Sequence, residues 1–388
     1  RREADDAVVR LAQESPTRRE RAQADPTSPR PDGGRRRRRA PQASSQYPAC
    51  PRLWRVDAGR RPASHYQYVS LNISAPRTAR GVDGPAPVAR LTSECLNLGC
   101  PRPERDATRR KVAPGVYAPT GDWHRATADN RHLALIDAAL RKHGGDLVLA
   151  GASAALILGL PVIGRLPERV QCLGEKNQRT RTSLLRRHVR QTPVIVPVGR
   201  CPVTSVATTC IDLARWEGLV QGVCAMDHAL RHRLCTREEL IDALDRLPTR
   251  ARGLRVARIA VHLADPLSES PGESLSRVRM WQARIPRPVL QHEIQTDVGI
   301  ARTDYFWPES VVKPHPVSEF DGNAKYHRES YGRATEETIL KESGRERALW
   351  RLGYPMARWT WGDAWYDNGA RMLAELATVG VRPGAVRW

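Results

Sequence analysis

The hydrophobic pattern separates an N-terminal stretch without periodic apolar positions from a folded remainder. In residues 1–90 few windows show apolar residues at helix or strand spacing, and Pro, Gly, Ser and Arg dominate. Such a stretch buries too little apolar surface to offset the entropy of its chain. We therefore predict that residues 1–90 form a disordered basic extension. The alternatives are a nucleic-acid-binding tail, or upstream sequence that is not part of the native protein.

The next segment, residues 91–120, predicts a short helix, a second helix over 104–112 and a strand at 115–117. This is the order of a truncated winged helix-turn-helix, in which the second helix enters the major groove of DNA. The predicted second helix carries three basic residues, Arg109, Arg110 and Lys111. They are candidate DNA-binding residues. The alternative is a small packing subdomain with a solvated basic face.

Residues 121–265 predict an α/β region. Its first part alternates between helix and strand patterns, and residues 203–263 read as a series of helices. No cluster of chemically reactive residues stands out here. We expect Asp212, Asp227 and His228 to be surface or helix-polar residues rather than catalysts. Arg190 belongs to an arginine cluster for which we expect a solvated loop face, with phosphate contact as the alternative.

The last region, residues 270–379, predicts the order helix, three strands, long helix, strand and helix. The first helix begins near Glu273, and the long helix spans about 333–352. The strand segments are VLQHEIQT, ARTDYFWP, PVSEFDG and PMARWTW, and the closing helix covers 362–377. This order suits a mixed sheet flanked by helices.

Three carboxylates fall on two neighbouring predicted strands of this region. Asp304 lies on the second strand, and Glu319 and Asp321 lie on the third. Residues two apart on a strand point to the same face, so the three groups can meet. Such a cluster repels itself unless protons or a divalent cation neutralise it. Because hard oxygen ligands suit Mg²⁺ or Mn²⁺, the pattern predicts a site for one of these ions, with Lys325 nearby.

The same residues, taken in order, resemble the PD-(D/E)XK nuclease superfamily, in particular the endonuclease-like domains related to very-short-patch repair. The matching positions are Glu273, Gln291, the Arg302-Thr-Asp304 motif, the Glu319-Phe-Asp321-Gly322 motif, Lys325, Arg345-Glu346 and Arg358. Asp321 stands where the superfamily usually has Lys.

The resemblance implies a catalytic role for each of several residues. Asp304, Glu319 and Asp321 would hold the metal, and Lys325 would orient the attacking water or stabilise transition-state charge. It further implies that Glu273 completes a second metal site and that Gln291 positions the water by hydrogen bonding. Arg345 and Arg358 would contact the DNA backbone.

An upstream stretch resembles a different family. It is similar to the AbiEi-type antitoxin-like region in two segments, VLAGASAALILGLPV and PVTSVATTCIDLA. In bacterial proteins this region often lies between a winged helix and the nuclease-like domain. The resemblance implies a toxin–antitoxin context with a cognate toxin protein as a partner.

Composition agrees with a nucleic-acid partner but is not specific for one. The formal net charge is +21, and a basic surface attracts polyanions. Only six of the 63 basic residues are Lys, an arginine bias that a GC-rich genome partly explains. None of the eight cysteines forms a CxxC pair, no run of 18 apolar residues occurs and no signal-peptide pattern is present. We expect a cytoplasmic protein with reduced cysteines and no membrane contact.

Together these patterns predict an α+β protein, mixed α/β in content, with a restriction-endonuclease-like C-terminal sheet. The predicted function is Mg²⁺-dependent hydrolysis of phosphodiester bonds in DNA, with an antitoxin-like DNA-binding N-terminal half. The alternative is a non-catalytic DNA-binding transcriptional regulator or antitoxin whose nuclease domain is degenerate.

Overall fold

The computed structural model describes residues 87–97, 102–144, 147–175, 178, 182, 184–199, 201–309, 311–322, 336–385 and 388, with backbone alone for 336–342. The predicted extension up to residue 86 and the predicted catalytic residue Lys325 lie outside these ranges. All described residues belong to one compact unit. Its helices and several separate sheets confirm the predicted α+β class.

A three-stranded antiparallel sheet with strand order β1–β3–β2 begins the described fold. Its elements are β1 (Arg90–Leu91), α1 (Thr92–Asn97), β2 (Arg109–Ala113) and β3 (Val116–Pro119). The predicted helix over 104–112 is wrong, because only a 3₁₀ turn at Pro103–Arg105 precedes β2. The Asp106 side chain accepts hydrogen bonds from the backbone N–H and the hydroxyl of Thr108. Such a turn competes with helical hydrogen bonding and starts the strand instead.

Two small sheets and three helices form the next part. The elements are α2 (Thr120–Arg125), α3 (Ala128–His143), α4 (Gly151–Ile157), β4 (Val170–Leu173), β5 (Leu185–His188), β6 (Ile195–Val198) and β7 (Cys201–Thr204). Strands β4 and β5 are parallel, and β6 and β7 are antiparallel. Leu149 bridges to Cys172 and Val203 and so links the two pairs. It is fully buried in an apolar core shared with α3.

A layer of helices follows and encloses the largest apolar core. Its elements are α5 (Val206–Glu217), α6 (Leu219–Arg231), α7 (Arg237–Asp245) and α8 (Leu254–Leu263). Helix α7 begins with a capping box in which Thr236 and Glu239 bind each other's backbone N–H groups. Six described cysteines are free thiols and buried. Within the described part of the chain, no helix has the length and apolar character needed to cross a membrane.

The C-terminal part contains a four-stranded mixed sheet with strand order β11–β10–β9–β8. Its elements are α9 (Pro271–Gln282), β8 (Val289–Thr296), β9 (Gly299–Phe306), β10 (Val317–Asp321), α10 (Glu336–Arg351) and β11 (Met356–Thr360). Strand β9 is antiparallel to β8 and β10, whereas β10 and β11 are parallel. The predicted order of elements and the mixed sheet are confirmed.

The predicted closing helix is divided into separate pieces. They are α11 (Trp361–Trp365), a 3₁₀ segment at Tyr366–Gly369 and α12 (Ala370–Thr378). Asp367 and Asn368 adopt left-handed backbone angles, with φ of 50° and 55°. These residue types tolerate that conformation better than most. The reversal lets the Asn368 side chain accept a hydrogen bond from Arg279 of α9 at 3.2 Å.

Two acidic residues predicted on helix surfaces are instead buried in ion pairs. Asp212 of α5 contacts Arg190 and Arg215, and all three side chains are almost fully buried. Arg190 also donates to the carbonyl of Ala243, so its predicted place in a solvated loop is wrong. A buried charge is stable only when it is paired and hydrogen-bonded. Arg190 lies 22 residues before Asp212 and outside α5, so the pattern on α5 alone gave no sign of this pair.

The second buried pair joins α6 to α9. Arg277 donates to Asp227 Oδ2 at 2.8 Å, and Ser274 Oγ donates to the same oxygen at 2.7 Å. The other oxygen, Oδ1, accepts from the Asp265 backbone N–H at 2.7 Å. Arg277 also donates to Ser268 Oγ and to the Leu263 carbonyl. The pair therefore fixes α9 against the helical layer and the linker that precedes it.

We predict that Asp227→Asn destabilises the protein by about 3–5 kcal/mol, because it leaves the buried Arg277 guanidinium without its counter-charge. The double replacement Asp227→Leu with Arg277→Met should recover most of that loss. Urea unfolding at neutral pH measures both. Asp122→Asn, which breaks the exposed Asp122–Arg125 pair, is the control and should have little effect. An Asp227→Asn variant as stable as this control would contradict the prediction.

Candidate functional site

The candidate site begins at the first turn of α9. Ser270 caps this helix by accepting from the backbone N–H of Glu273 at 3.2 Å. The Glu273 carboxylate in turn accepts from Ser270 Oγ at 2.8 Å and from the Glu269 backbone N–H at 2.8 Å. A carboxylate at this position also interacts favourably with the helix dipole. Glu273 is therefore held in a single orientation, only 7% exposed.

The start of α9 lies against the sheet with no spare room. A Cβ atom on Gly272 would lie 2.0 Å from the Phe320 ring of β10, so only glycine fits there. The Tyr305 hydroxyl of β9 donates to the Glu273 carbonyl at 2.9 Å. These contacts place the Glu273 side chain beside the middle strands.

Gln291 connects the helix to the sheet. Its Nε2 group donates to Glu273 Oε2 at 3.0 Å and to Asp304 Oδ1 at 3.2 Å. The flanking pairs Leu290–Tyr305 and His292–Thr303 place Gln291 across from Asp304 on the neighbouring strand. Gln291 has a φ of 52°, a left-handed conformation unusual for a non-glycine residue. Such strain is found most often where function fixes the geometry.

Asp304 is held on both of its oxygens. Oδ1 accepts from Gln291, and Oδ2 accepts from the Phe320 backbone N–H of β10 at 2.8 Å. The register pairs Tyr305 with Ser318, so the next position places Asp304 across from Glu319. Two of the predicted metal ligands thus occupy facing positions on adjacent strands.

Glu319 is bound by two arginines. Arg345 Nη2 of α10 contacts Oε1 at 2.6 Å, and Arg358 Nη2 of β11 contacts Oε2 at 2.9 Å. Arg358 is the register partner of Glu319 across the parallel pair β10–β11. Arg345 also donates to the Arg302 carbonyl at 3.0 Å. The carboxylate side chain is 13% exposed, and both arginine side chains are about one-third exposed.

Burial and nearby negative charge disfavour ionisation of the two carboxyl groups that Gln291 joins. Burial, reinforced by the charge of Asp304, raises the pKa of Glu273 from 4.5 to about 7. Burial also raises the pKa of Asp304, although hydrogen bonds from Phe320 and Gln291 oppose the change. Near neutral pH this part of the site therefore favours either a proton or a cation.

The structure brings together some of the predicted site residues and separates others. Glu273, Gln291 and Asp304 converge, and Glu319 lies on the adjacent strand in contact with the two arginines. Asp321 is exposed at the end of β10. Among the residues that the structure describes, no group of three or more His, Cys, Asp or Glu side chains is arranged to hold a metal ion.

The predicted DNA-binding residues of the N-terminal half lie on β2 rather than on a helix. Arg109 contacts Asp106 at 3.1 Å, and Arg110 Nη1 lies 3.1 Å from His124 Nε2. Lys111 is exposed on the same strand. A winged helix would present these residues from its second helix, so that part of the expectation is corrected.

Sequence reasoning missed a second ion-pair chain beside the site. Glu269 contacts Arg302 at 2.9 Å and Arg231 of α6 at 2.6 Å. Its backbone N–H also binds Glu273, so it links the helical layer to the candidate site. The Ser270-x-x-Glu273 spacing signals a capped helix in the sequence. The contacts of Glu269 depend on residues far away in the chain, and no local pattern reveals them.

Comparison with known proteins gives relatives without an assigned function. No family model matches the chain. The uncharacterized proteins MT2308 and Rv2248 of Mycobacterium tuberculosis, strains CDC 1551 / Oshkosh and H37Rv, are each 34% identical over 175 residues. The match spans 45% of this chain and 60% of the length of each relative.

The comparison of structures gives a weaker similarity. The crystal structure of the RV2827C protein from Mycobacterium tuberculosis is 18% identical, with coverage of 49% of this chain and 75% of that chain. The TM-score is 0.30, too low to indicate a shared fold.

We predict that Glu273→Gln stabilises the protein above pH 7 by about 1–3 kcal/mol. Because the pKa of Glu273 is higher in the folded state, the folded protein binds more protons than the unfolded chain between pH 4.5 and about 7. The contribution of Glu273 to stability is therefore present below pH 4.5 and lost as pH rises through 7.

Urea unfolding of Glu273→Gln and of the parent at pH 4.5 and pH 8 tests this prediction. The gain should appear at pH 8 and disappear at pH 4.5. Glu293→Gln, an exposed carboxyl on β8, is the matched control and should show no such dependence. A Glu273→Gln variant whose stability tracks the parent at both pH values would contradict the assignment.

Proposed function

We propose that this chain is a Mg²⁺-dependent, endonuclease-like protein that hydrolyses phosphodiester bonds in DNA, with an antitoxin-like DNA-binding N-terminal half. The supporting observation is the convergence of Glu273, Gln291 and Asp304 beside a mixed four-stranded sheet, with one amide group bound to both carboxylates. The net charge of +21 supports a polyanionic substrate. A cytoplasmic location and a cognate toxin protein as a partner belong to the same proposal.

Carboxylate oxygens are the type of ligand that a hard divalent cation prefers. Glu273 and Asp304 offer carboxylate oxygens, and the pKa of Glu273 is raised by burial first and by the charge of Asp304 second. Glu319 occupies the facing position on β10, and Asp321 lies two residues further. Under the proposal Asp304, Glu319 and Asp321 hold Mg²⁺ or Mn²⁺, with Glu273 completing the carboxylate set. Bound there, the metal would polarise the scissile phosphate and lower the pKa of an attacking water.

The remaining roles follow from the residues themselves. Gln291, fixed by its two carboxylate partners, has an amide oxygen with which to orient a water molecule. With a pKa of about 7, Glu273 is able to accept or hold a proton near neutral pH. Arg345 and Arg358 are partly exposed guanidinium groups beside the site, suited to backbone phosphates. Lys325 would supply a further positive charge.

A second candidate function is that of a non-catalytic DNA-binding transcriptional regulator or antitoxin. The observation that favours it is the double contact of Glu319, whose oxygens are bound by Arg345 and Arg358 rather than directed at Asp304. Asp321 also stands where the nuclease superfamily usually has Lys. In this reading the C-terminal sheet is structural, and DNA binding depends on the N-terminal half.

A plasmid-nicking assay with Mg²⁺ or Mn²⁺ tests the first proposal. Asp304→Ala and Glu319→Ala should each lower the rate by about 100-fold or more, because each removes a charge from the metal-binding set. Chelation with EDTA should abolish nicking in the parent. Asp297→Ala is the control, because this exposed carboxylate lies in the β8–β9 turn and pairs with Arg351. Equal nicking by the parent, Asp304→Ala and Glu319→Ala would refute the nuclease assignment.

DNA mobility shifts over a salt series test the second proposal. Replacing Arg109, Arg110 and Lys111 together by Gln should weaken binding and lower the slope of log affinity against log salt by about 2–3. A triple Gln replacement of the exposed residues Arg246, Arg250 and Arg252 removes the same charge elsewhere and serves as the control. Unchanged DNA affinity in the first variant would count against a DNA-binding role for β2.

A further inference from the structure

The geometry around Glu319 is that of a small anion site that already holds an anion. Two guanidinium groups converge on one carboxylate, and each contacts a different oxygen, at 2.6 Å and 2.9 Å. Arginine forms hydrogen-bonded pairs of this kind with carboxylates and with phosphates alike. The same two donors therefore suit two oxygens of a phosphate group.

Arg345 has an anchor besides Glu319, and the backbone of Arg358 is fixed by the sheet. Arg345 is anchored by its second bond, to the Arg302 carbonyl at 3.0 Å. Arg358 is positioned by strand pairing, because β11 runs in register beside β10. Both side chains are about one-third exposed, so an external anion has access to them.

Other charged groups near this cluster are also defined. Asp304 lies across from Glu319 on β9, and Asp321 lies two residues along β10. Arg302, whose carbonyl binds Arg345, directs its own side chain to Glu269. Glu319 is the carboxylate that contacts both Arg345 and Arg358.

We propose that Glu319 is an internal competitor that occupies a phosphate-binding site formed by Arg345 and Arg358, and that a backbone phosphate of DNA displaces it. This inference rests on the DNA binding proposed above. A group tethered next to its binding site competes at a high effective concentration, so Glu319 lowers the affinity of the arginines for external phosphate. Displacement leaves the Glu319 carboxylate beside Asp304, on the adjacent strand. The carboxylate set of the proposed metal site is thereby completed only when DNA is bound.

The test measures DNA binding without metal, so that cleavage plays no part. A short fluorescent duplex is titrated in EDTA with the parent and with Glu319→Gln, whose neutral amide does not compete for the arginines. Glu319→Gln should bind about tenfold more tightly, with a salt slope steeper by about 1 because one more phosphate contact forms. Adding Arg345→Gln and Arg358→Gln to this variant should remove the gain.

Two controls separate competition from a general change in charge. Glu293→Gln removes one negative charge from the exposed side of β8 without releasing either arginine. Asp297→Asn releases Arg351 on the same helix α10, since Asp297 and Arg351 form an exposed pair at 2.6 Å. Both should change the affinity by less than about threefold, the effect of a single distant charge. Glu319→Ala is a second variant for the event that Glu319→Gln does not fold, and it should show the same gain.

Each outcome decides the matter. If Glu319→Gln and Glu319→Ala bind DNA no more tightly than the two controls, or if no variant binds DNA, the competition proposal is overturned. A gain in Glu319→Gln that persists without Arg345 and Arg358 overturns it as well. A gain that requires these arginines supports it even when the parent fails to nick plasmid, and that failure counts against the nuclease proposal alone.

Discussion

The position of the candidate site depends on one buried ion pair, Asp227 with Arg277. Both charges lie in a low-dielectric interior, where an unpaired ion is costly, so α6 and α9 must meet in the one geometry that pairs them. Arg277 is four residues from Glu273, one turn along α9. Ser274, next to Glu273, binds the same Asp227 oxygen. The pair that holds the helix therefore also fixes the carboxylate at its start, and the chemistry of the C-terminal sheet depends on contacts made by the helical layer.

That constraint explains why the carboxylates are crowded. With α9 fixed and no space at Gly272, Glu273 is pressed against the strand that carries Asp304. Gln291 relieves part of the repulsion by donating to both groups, at the expense of a strained backbone. Stability alone would favour fewer buried carboxyl groups here. The arrangement is the kind expected where a cation or a proton is to be bound, which supports a functional interpretation without identifying the reaction.

Features of the fold that depend on neighbouring residues could be predicted from the sequence, whereas those that depend on contacts between distant residues could not. The order of elements around Glu273, Asp304 and Glu319 follows from local alternation and turn signals, so it was predictable. The strand at Arg109 was missed because one side-chain turn at Asp106 decided between helix and strand. The burial of Asp227 was missed because its partner lies 50 residues away. The pairing of Glu319 with Arg358 depends on the parallel register of β10 and β11, which a crossover through α10 establishes.

Arg345 and Arg358 limit the chemistry that the proposed nuclease site could perform, because Asp321 stands at the position for which the resemblance implies Lys. An arginine keeps its proton at all ordinary pH values, so neither Arg345 nor Arg358 is suited to accept one from an attacking water. Each is well suited to bind a phosphate oxygen and to stabilise the negative charge that develops on it. These two positive charges lie on the strand and the helix that flank β10. A nuclease built in this way must take its proton acceptor from the carboxylate side, where Glu273 has a pKa of about 7. A regulator with the same residues would need only the phosphate contact. The two proposed functions differ in what Glu319 binds: a metal ion in the nuclease, or Arg345 and Arg358 in the regulator.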